Sequence, residues 1–318
     1  MHLVETMAYA GEMPWHGLGR KLPANESIDV WRRSAGMDWQ IEESEVRYVV
    51  GKNGVGAINA FPEQKVLYRS DSRAPLAVVS KRYQVVQPGE ILEFYRDLTE
   101  VGGFELETAG VLREGRKFWA LAKTGQSATL RGRDRVDGYL LLATACDGTL
   151  ATTAQFTSVR VVCNNTLAIA LGNSGGAIKV PHRSQFDASL VKRQLGITVS
   201  SWDGFVTRMK ALADRPVDPD SVEGLLRRVL TYPGANGKPA IVNEQALRSV
   251  RALYDGAGQG AGLTSSRGTA WGLLNSVTEY VDHHRRARSD DHRLDAAWFG
   301  QGALIKQKAW DEALKLVA

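Results

Sequence analysis

The feature that most constrains the fold is a change in hydrophobic periodicity near residue 184. Before it, apolar residues alternate in short runs separated by glycine-containing turns, which is the pattern of β-hairpins. After it, apolar residues recur at helical spacing. The pattern therefore predicts an α+β fold, with an antiparallel β-hairpin sheet backed by helices in the N-terminal half and an all-helical C-terminal half. It also predicts two domains, an α+β domain over residues 1–184 and a helical domain over residues 185–318.

The individual elements follow from turn and breaker residues. Glycine in a short polar turn between two alternating runs favours a hairpin, and proline or glycine between helical segments separates them. The predicted hairpins cover residues 104–123 and 136–156, with turns at residues 113–116 and 147–148. A β region begins at residue 39 and is followed by a hairpin turn signal at residues 52–54, and further short strands are predicted at residues 66–69 and 76–79. The predicted helices lie near residues 27–37, 90–101, 187–213, 218–231, 243–255, 267–288 and 301–316.

The central stretch, residues 157–167, places polar groups inside an apolar run. We expect the last strand to end here and a helix to run from about residue 160 to residue 171, capped by Thr157 or Ser158. Cys163 would then be a small core residue. Arg160 would lie at the helix start, where a cation gains nothing from the helix dipole. It therefore needs an anionic partner, either a carboxylate of the protein or a phosphate.

Composition limits the class of protein. The chain of 318 residues is 43% hydrophobic and 24% charged, as expected for a globular protein with a large core. Its two cysteines indicate a reducing compartment, and it has neither a membrane span nor a secretory signal, so a cytoplasmic location is expected. The net charge of +5 and the pI of about 9.2 mildly favour a polyanionic partner.

The position of the cations is more informative than their number. Cations concentrate at hairpin tips and in the loop that joins two hairpins, where they could contact a phosphate backbone. Aromatic residues lie among them, and base stacking on aromatic rings tolerates any sequence. The alternative is that Phe118 and Trp119 alternate along a strand, with one ring in the core and the other on a half-covered face. The candidate phosphate contacts are Arg113, Arg116, Lys117, Arg131, Arg133 and Arg135, extended by Lys81, Arg82 and Arg160, and the candidate stacking residues are Tyr83 and Trp119.

Signals for catalysis or metal binding are weak. No phosphate-binding loop, nucleophile elbow or zinc-protease motif occurs. The stretch 282–295 is rich in Asp and His, but its interleaved arginines favour ion pairs on a solvated helix end. Glu42, Glu43, Glu45 and Asp137 could serve a metal-dependent nuclease, although their spacing does not require it. The sequence thus favours a non-enzymatic protein without a catalytic residue, metal or cofactor.

Four ordered motifs carry a resemblance to a known family. They are Pro14-Trp15-His16-Gly17, the stretch 76–88, the central stretch around Arg160-Val161-Val162-Cys163-Asn164-Asn165, and the stretch 269–283. Together the motifs resemble DUF932, a phage- and plasmid-like protein family of unknown function, over nearly the whole chain.

The resemblance implies a genomic setting more than a mechanism. Members of this family are found in phages, plasmids and bacteria, often near replication and recombination genes. The order of hairpins and helix is also similar to that of ring-forming single-strand annealing proteins. We therefore expect a single-stranded DNA-binding or annealing protein that acts as a homo-oligomer, which could be a ring. A self-assembling or partner-binding protein is the first alternative, and a metal-dependent nuclease the second.

Overall fold

The structure is a computed structural model of the chain, and it describes residues 4–14, 17–52, 55–100, 102–162, 165–168, 177–198, 200–232 and 240–318. It has the expected α+β class, with a large antiparallel sheet within the first 180 residues and mostly helices thereafter. Trp15, His16, Asn53, Gly54, Cys163 and Asn164, to which the sequence assigned turns, packing or motifs, lie outside the described residues.

The strands form three sheets. The large sheet has the order β10-β9-β8-β7-β6-β1-β2, with β11 pairing to β9, and its β6 and β7 form the expected hairpin. A second sheet has the order β3-β4-β5, and β12 pairs with β13. The strands are β1 Val4–Ala10, β2 Arg20–Leu22, β3 Ile41–Lys52, β4 Val55–Arg69, β5 Pro75–Ser80, β6 Glu105–Leu112, β7 Lys117–Leu130, β8 Asp134–Ala145, β9 Thr152–Arg160, β10 Asn165–Ala168, β11 Ala177–Val180, β12 Thr231–Tyr232 and β13 Ile241–Val242.

The β6–β7 turn is tight. Strand pairing ends at Leu112 and Lys117, and the backbone N–H of Arg116 donates to the carbonyl of Arg113 at 3.2 Å. Arg113, Glu114 and Gly115 have positive φ angles of 55°, 59° and 92°. This left-handed backbone is unfavourable for the two non-glycine residues, so the paired strands on either side must hold the turn in place.

The helix expected in the central stretch is wrong. β9 runs to Arg160, and after the turn at Val161 and Val162 the chain returns as β10, with Asn165 opposite Arg160 and Ala168 opposite Thr157. Many residues of this stretch are β-branched. Such side chains lose rotamer freedom in a helix and pack well on a sheet. The stretch is therefore a hairpin, not a strand-to-helix junction.

The helices lie largely within the predicted segments, but several of them begin or end at residues other than those predicted. The described parts of the segment 187–213 contain α4 and α5, which lie on either side of residue 199, outside the described residues, and the segment 90–101 is divided into α2 and α3. The segments 243–255 and 267–288 end in π-helical turns, Leu253–Ala257 and Tyr280–His284, and α9 was not anticipated. The helices are α1 Ile28–Ser34, α2 Pro88–Glu93, α3 Arg96–Glu100, α4 Ala188–Thr198, α5 Ser200–Asp214, α6 Pro219–Val229, α7 Glu244–Ala252, α8 Ala270–Glu279, α9 Asp290–Phe299 and α10 Gln301–Leu314.

The chain packs into two compact units that interleave along the sequence. Unit 1 comprises residues 1–124, 140–155 and 177–197, and unit 2 comprises residues 125–139, 156–176 and 198–318. Strands β7, β8 and β9 each contribute residues to both units. The boundary at residue 184 was predicted from secondary structure, whereas these units are defined by packing, and that boundary stays a prediction.

The core of unit 1 places helices against the large sheet. Tyr95, which follows α2, is fully buried, and its hydroxyl lies 2.9 Å from the carbonyl oxygens of both Ala120 in β7 and Leu140 in β8. Burial holds the pKa of Tyr95 well above its usual range, so the phenol remains a hydrogen-bond donor. The helical backing expected for the sheet is thus present in this unit.

Cys146 is buried and should be chemically inert. Burial raises the pKa of its thiol to about 12, with the nearby charge of Asp147 adding to the effect. In a Cys163→Ser variant, Cys146 is the remaining thiol, and we expect it to react with Ellman's reagent about 10³-fold more slowly in the folded protein than in denaturant, because the thiolate is the reactive form. Equal rates in the two states would contradict this assignment.

Candidate nucleic-acid interface

The β8–β9 turn, residues 146–150, is the point where several segments of unit 1 meet. Next to it, Tyr83 donates its hydroxyl to the carbonyl of Ala145 at 2.8 Å. The backbone N–H of Cys146 donates to the carbonyl of Arg116 at 2.9 Å, which joins the β6–β7 turn to this place. Tyr83 and Arg116, both chosen from sequence, therefore lie against neighbouring residues of one turn.

The side chain of Asp147 shapes the turn itself. It accepts hydrogen bonds from the backbone N–H and the hydroxyl of Thr149, at 3.0 and 2.6 Å. Gly148 between them has a φ of 77°, a conformation that glycine adopts without steric cost. Asp147 and Gly148, which the sequence predicts to form a hairpin turn, therefore stabilise the conformation of the β8–β9 turn.

Tyr83 and His182 form a stacked aromatic pair at the same place. Their ring centroids are 4.5 Å apart with an interplanar angle of 17°. His182 is fixed on both sides, because its Nε2 lies 2.9 Å from the carbonyl oxygen of Leu150 and its Nδ1 lies 3.2 Å from that of Gln84. These two contacts hold the imidazole ring in place beside Tyr83.

The protonation of Tyr83 is also set by its surroundings. Burial raises the pKa of Tyr83 above its usual range, and the charge of Asp147 acts in the same direction. The phenol therefore stays neutral and keeps its hydrogen bond to the chain. The pair is therefore a fixed aromatic stack in which the phenol is neutral.

Cations surround this pair, and together they form what is here named the basic surface. Lys81 and Arg82 directly follow β5, while Lys179 lies in β11 and Arg183 follows His182. These four side chains are exposed, and none of them forms an ion pair with any described residue. Arg116 is partly exposed, with its nearest carboxylate, Glu114, 4.0 Å away. The members of the basic surface are Lys81, Arg82, Tyr83, Arg113, Arg116, Lys179, His182 and Arg183.

Sequence reasoning missed Lys179, His182 and Arg183 as members of this site. The available signal was the basic extended segment 178–183. The sequence could not show what this segment packs against, because its partner lies nearly a hundred residues away along the chain. The backbone N–H of Gln84 donates to the carbonyl of His182 at 2.5 Å. The tertiary fold therefore adds three residues to a surface of which the sequence indicated the other five.

Two candidates in β7 lie in the interior. Trp119 has no exposed surface and pairs with Gly110 across the sheet, where an added Cβ would lie 2.3 Å from the indole ring. A ring in that position has no free face on which a base could stack. Lys117 is only 4% exposed. The alternative that only one of Phe118 and Trp119 lies in the core is also wrong, because both rings are fully buried.

The remaining candidates belong to unit 2. Arg131 bonds Asp214 at 2.8 Å and the carbonyl of Thr264 at 3.2 Å, so this exposed cation already has partners. Arg135 pairs with Asp137 at 2.7 Å. Arg133 is exposed and has no ion pair among the described residues. The loop cations are therefore a mixture of paired and unpaired side chains.

Arg160 has a carboxylate partner. Its guanidinium makes two hydrogen bonds to Asp134, both at 2.7 Å, and a third to Ser266 at 2.6 Å. Asp134 also accepts from Ser265 at 2.7 Å and from the indole N–H of Trp271 at 2.9 Å. Arg160 and Asp134 are 3% and 1% exposed, which places this network in the interior of unit 2.

Of the four acidic residues considered for a nuclease, three form ion pairs with cations, and the fourth belongs to a different unit. Glu42 pairs with Arg73 at 2.5 Å, Glu43 with Lys65 at 2.6 Å and Glu45 with Arg47 at 3.0 Å. Asp137 belongs to the other unit.

In the stretch 282–295, the carboxylate of Asp282 likewise already has partners. Asp282 accepts from Lys306 at 2.8 Å and from the backbone N–H of Thr166 at 2.8 Å. Across the described parts of the chain, no group of three His, Cys, Asp or Glu residues is arranged to hold a metal ion.

The fold defines a mixed α+β protein with an eight-stranded sheet, and the comparisons with known proteins identify its family. The family model described as a domain of unknown function, DUF932, matches residues 75–298. The chain therefore belongs to the DUF932 family. Neither the curated proteins nor the solved structures include a match. Within the described residues, no helix is long and apolar enough to cross a membrane.

Proposed function

We propose that this protein binds single-stranded nucleic acid, in particular single-stranded DNA, through the basic surface of unit 1. The observation that carries the proposal is the group of exposed cations Lys81, Arg82, Lys179 and Arg183 around the Tyr83–His182 stack, none of which forms an ion pair with a described residue. Unpaired cations can neutralise phosphates with release of counterions. The physical basis is therefore electrostatic attraction to a backbone beside an aromatic pair.

The aromatic pair favours a single strand over a duplex. Single-strand binders combine a positively charged surface with aromatic rings on which bases stack without sequence preference. Bases of a duplex are already stacked and paired, so they cannot extend the Tyr83–His182 stack. The activity proposed is annealing or protection of single strands during recombination or replication, by a self-associating protein that needs no cofactor.

The test is equilibrium binding of a labelled deoxythymidine oligonucleotide and of a duplex of equal length across a salt series. If four cations contact phosphates, log K should fall against log salt concentration with a slope of about −3 for the single strand. We expect single-strand binding to be the tighter of the two. An absence of binding at low salt, or equal affinity for both forms, would contradict the proposal.

A further inference from the structure

The most exposed apolar part of unit 1 is the end of the β3–β4 hairpin. This segment, named here the β-arm, comprises residues 46–52 and 55–61. β5 pairs with β4 only from Gln64 to Tyr68, so the β-arm has two strands and no third. Its seven residue pairs extend for about 20 Å at 3.4 Å per residue. The side chains described between residues 47 and 61 are all exposed.

Both faces of the β-arm are apolar. Directly opposed residues share a face, which places Val46 with Phe61 and Tyr48 with Asn59 on one face, and the exposed Val49 with Ile58 on the other. The exposed fractions are 49% for Tyr48, 47% for Val49, 55% for Val50, 66% for Ile58 and 41% for Phe61. Tyr48, Val50 and Phe61 lie on one face and Val49 and Ile58 on the other, so each face of the β-arm exposes apolar side chains.

The β-arm also presents free backbone edges. β3 pairs only with β4 among the described strands, so the N–H and C=O groups on its other edge remain available. The register shifts between Glu45 and Val46, which leaves three residues of β4, including Pro62, out of the ladder. Proline has no N–H and protects a strand edge. The edge of β4 is therefore blunted at the base of the β-arm, whereas no proline interrupts β3.

An isolated two-stranded ribbon is only marginally stable in water, and three or more strands are needed for independent stability. We propose that the β-arm is an interface with a second copy of this chain, in which the two β3 strands pair antiparallel across a two-fold axis. This pairing joins two ribbons into a four-stranded sheet. The proposal supplies a surface for the self-association expected from the sequence, and it does not depend on nucleic-acid binding.

Two features favour a second copy over nucleic acid. Among the side chains described in the β-arm, the one cation is Arg47, and it is already paired with Glu45 at 3.0 Å, so these described side chains offer no unpaired cation for phosphates. A second β3 supplies an edge of the same length, with Tyr48 and Val50 on one face, and aromatic–β-branched cross-strand pairs stabilise a sheet.

The test measures molar mass by light scattering across a concentration series, with sedimentation velocity as a second measurement. We expect the wild-type protein to have a mass at least twice the 34.8 kDa of one chain. Tyr48→Lys with Val50→Lys should weaken self-association about 100-fold, because each copy would bring two like charges onto the paired β3 edge. The matched control is Leu304→Lys on α10, an apolar residue that is 64% exposed outside the β-arm. Its mass should equal that of the wild type.

A second measurement detects the pairing directly. Single cysteines at positions 48, 49 and 50 should form intermolecular disulfides under mild oxidation, whereas a cysteine at position 304 should not. A monomeric wild type at high concentration, an unchanged mass for the double-lysine variant, or equal cross-linking at position 304 would overturn the proposal. Loss of oligonucleotide binding with unchanged mass would instead assign the β-arm to nucleic acid and also overturn it.

Discussion

Replacing Arg160 with methionine should lower the free energy of unfolding by about 3–5 kcal/mol, because it leaves Asp134 buried without its cation. Urea unfolding followed by circular dichroism measures the change. The matched control is Arg135→Met, which breaks the more exposed pair with Asp137 and should cost less than about 1 kcal/mol. A loss for Arg160→Met no larger than that of the control would contradict the assigned role of the network.

The double variant Asp134→Leu with Arg160→Met separates the charge from the remaining hydrogen bonds. Part of the loss should be recovered, since replacing both members of a buried pair removes the unpaired charge. Recovery should be incomplete, because Ser265, Ser266 and Trp271 lose hydrogen-bond partners. A double variant less stable than the single one would show that the pair itself is not the source of the effect.

The same network fixes a pH dependence. Burial raises the pKa of Asp134, but the hydrogen bonds and charge of Arg160, together with Ser265 and Trp271, outweigh it and lower the pKa overall. The stabilisation by ionised Asp134 is therefore fully present above the unfolded value of about 3.9 and is lost as the pH falls through the lower folded value. The stability difference between wild type and Asp134→Asn should accordingly be constant near neutral pH and shrink only in strong acid.

Removing three cations of the basic surface should weaken single-strand binding about 100-fold at low salt. The variant is Lys81→Gln, Arg82→Gln and Arg183→Gln, all exposed side chains without an ion pair among the described residues. Each lost phosphate contact should reduce the salt slope by somewhat less than one, so the total should decrease by about 2. Fluorescence anisotropy with the same labelled oligonucleotide measures both quantities.

The control for this variant removes the same charge elsewhere. Arg208→Gln, Lys210→Gln and Arg248→Gln lie on α5 and α7, and they too are exposed and unpaired in the described structure. Their affinity and salt slope should stay within about twofold of the wild type. Equal losses in both triple variants would indicate a response to net charge alone and would contradict a defined surface. Arg131→Gln with Arg133→Gln then tests the β7–β8 turn separately.

Local signals in the sequence were sufficient for the hairpins. The turns at residues 113–116 and 147–148 were predicted from glycine in a short polar loop, and the structure contains both. The helix expected after Arg160 was wrong, because strand pairing between β9 and β10 outweighed a weak helical period. The two strands lie within the same stretch, and the residue pattern alone did not show that they pair with each other.

The candidate site shows the same limit. Lys81, Arg82 and Tyr83 could be selected from sequence because cations flank an aromatic residue, but their nearness to His182 depends on tertiary contacts. Alternation alone could not decide which side chain of the Phe118-Trp119 pair faces the core, and both rings are buried. The sequence limited the expected partner of Arg160 to a carboxylate or a phosphate. Only the tertiary structure shows that the partner is the carboxylate of Asp134.

The interleaving of the two units has a consequence for how such a gene can be divided or recombined. Residues 185–318 carry Ser265, Ser266, Trp271 and Lys306, whereas the groups that these side chains bond, Asp134, Arg160 and Thr166, are encoded upstream. A recombination crossover at residue 184 between two diverged copies of the gene would therefore join hydrogen-bonding partners that had evolved in different proteins. The halves of this protein are therefore poor candidates for inheritance as independent modules, and changes on one side of the crossover must be compatible with the other.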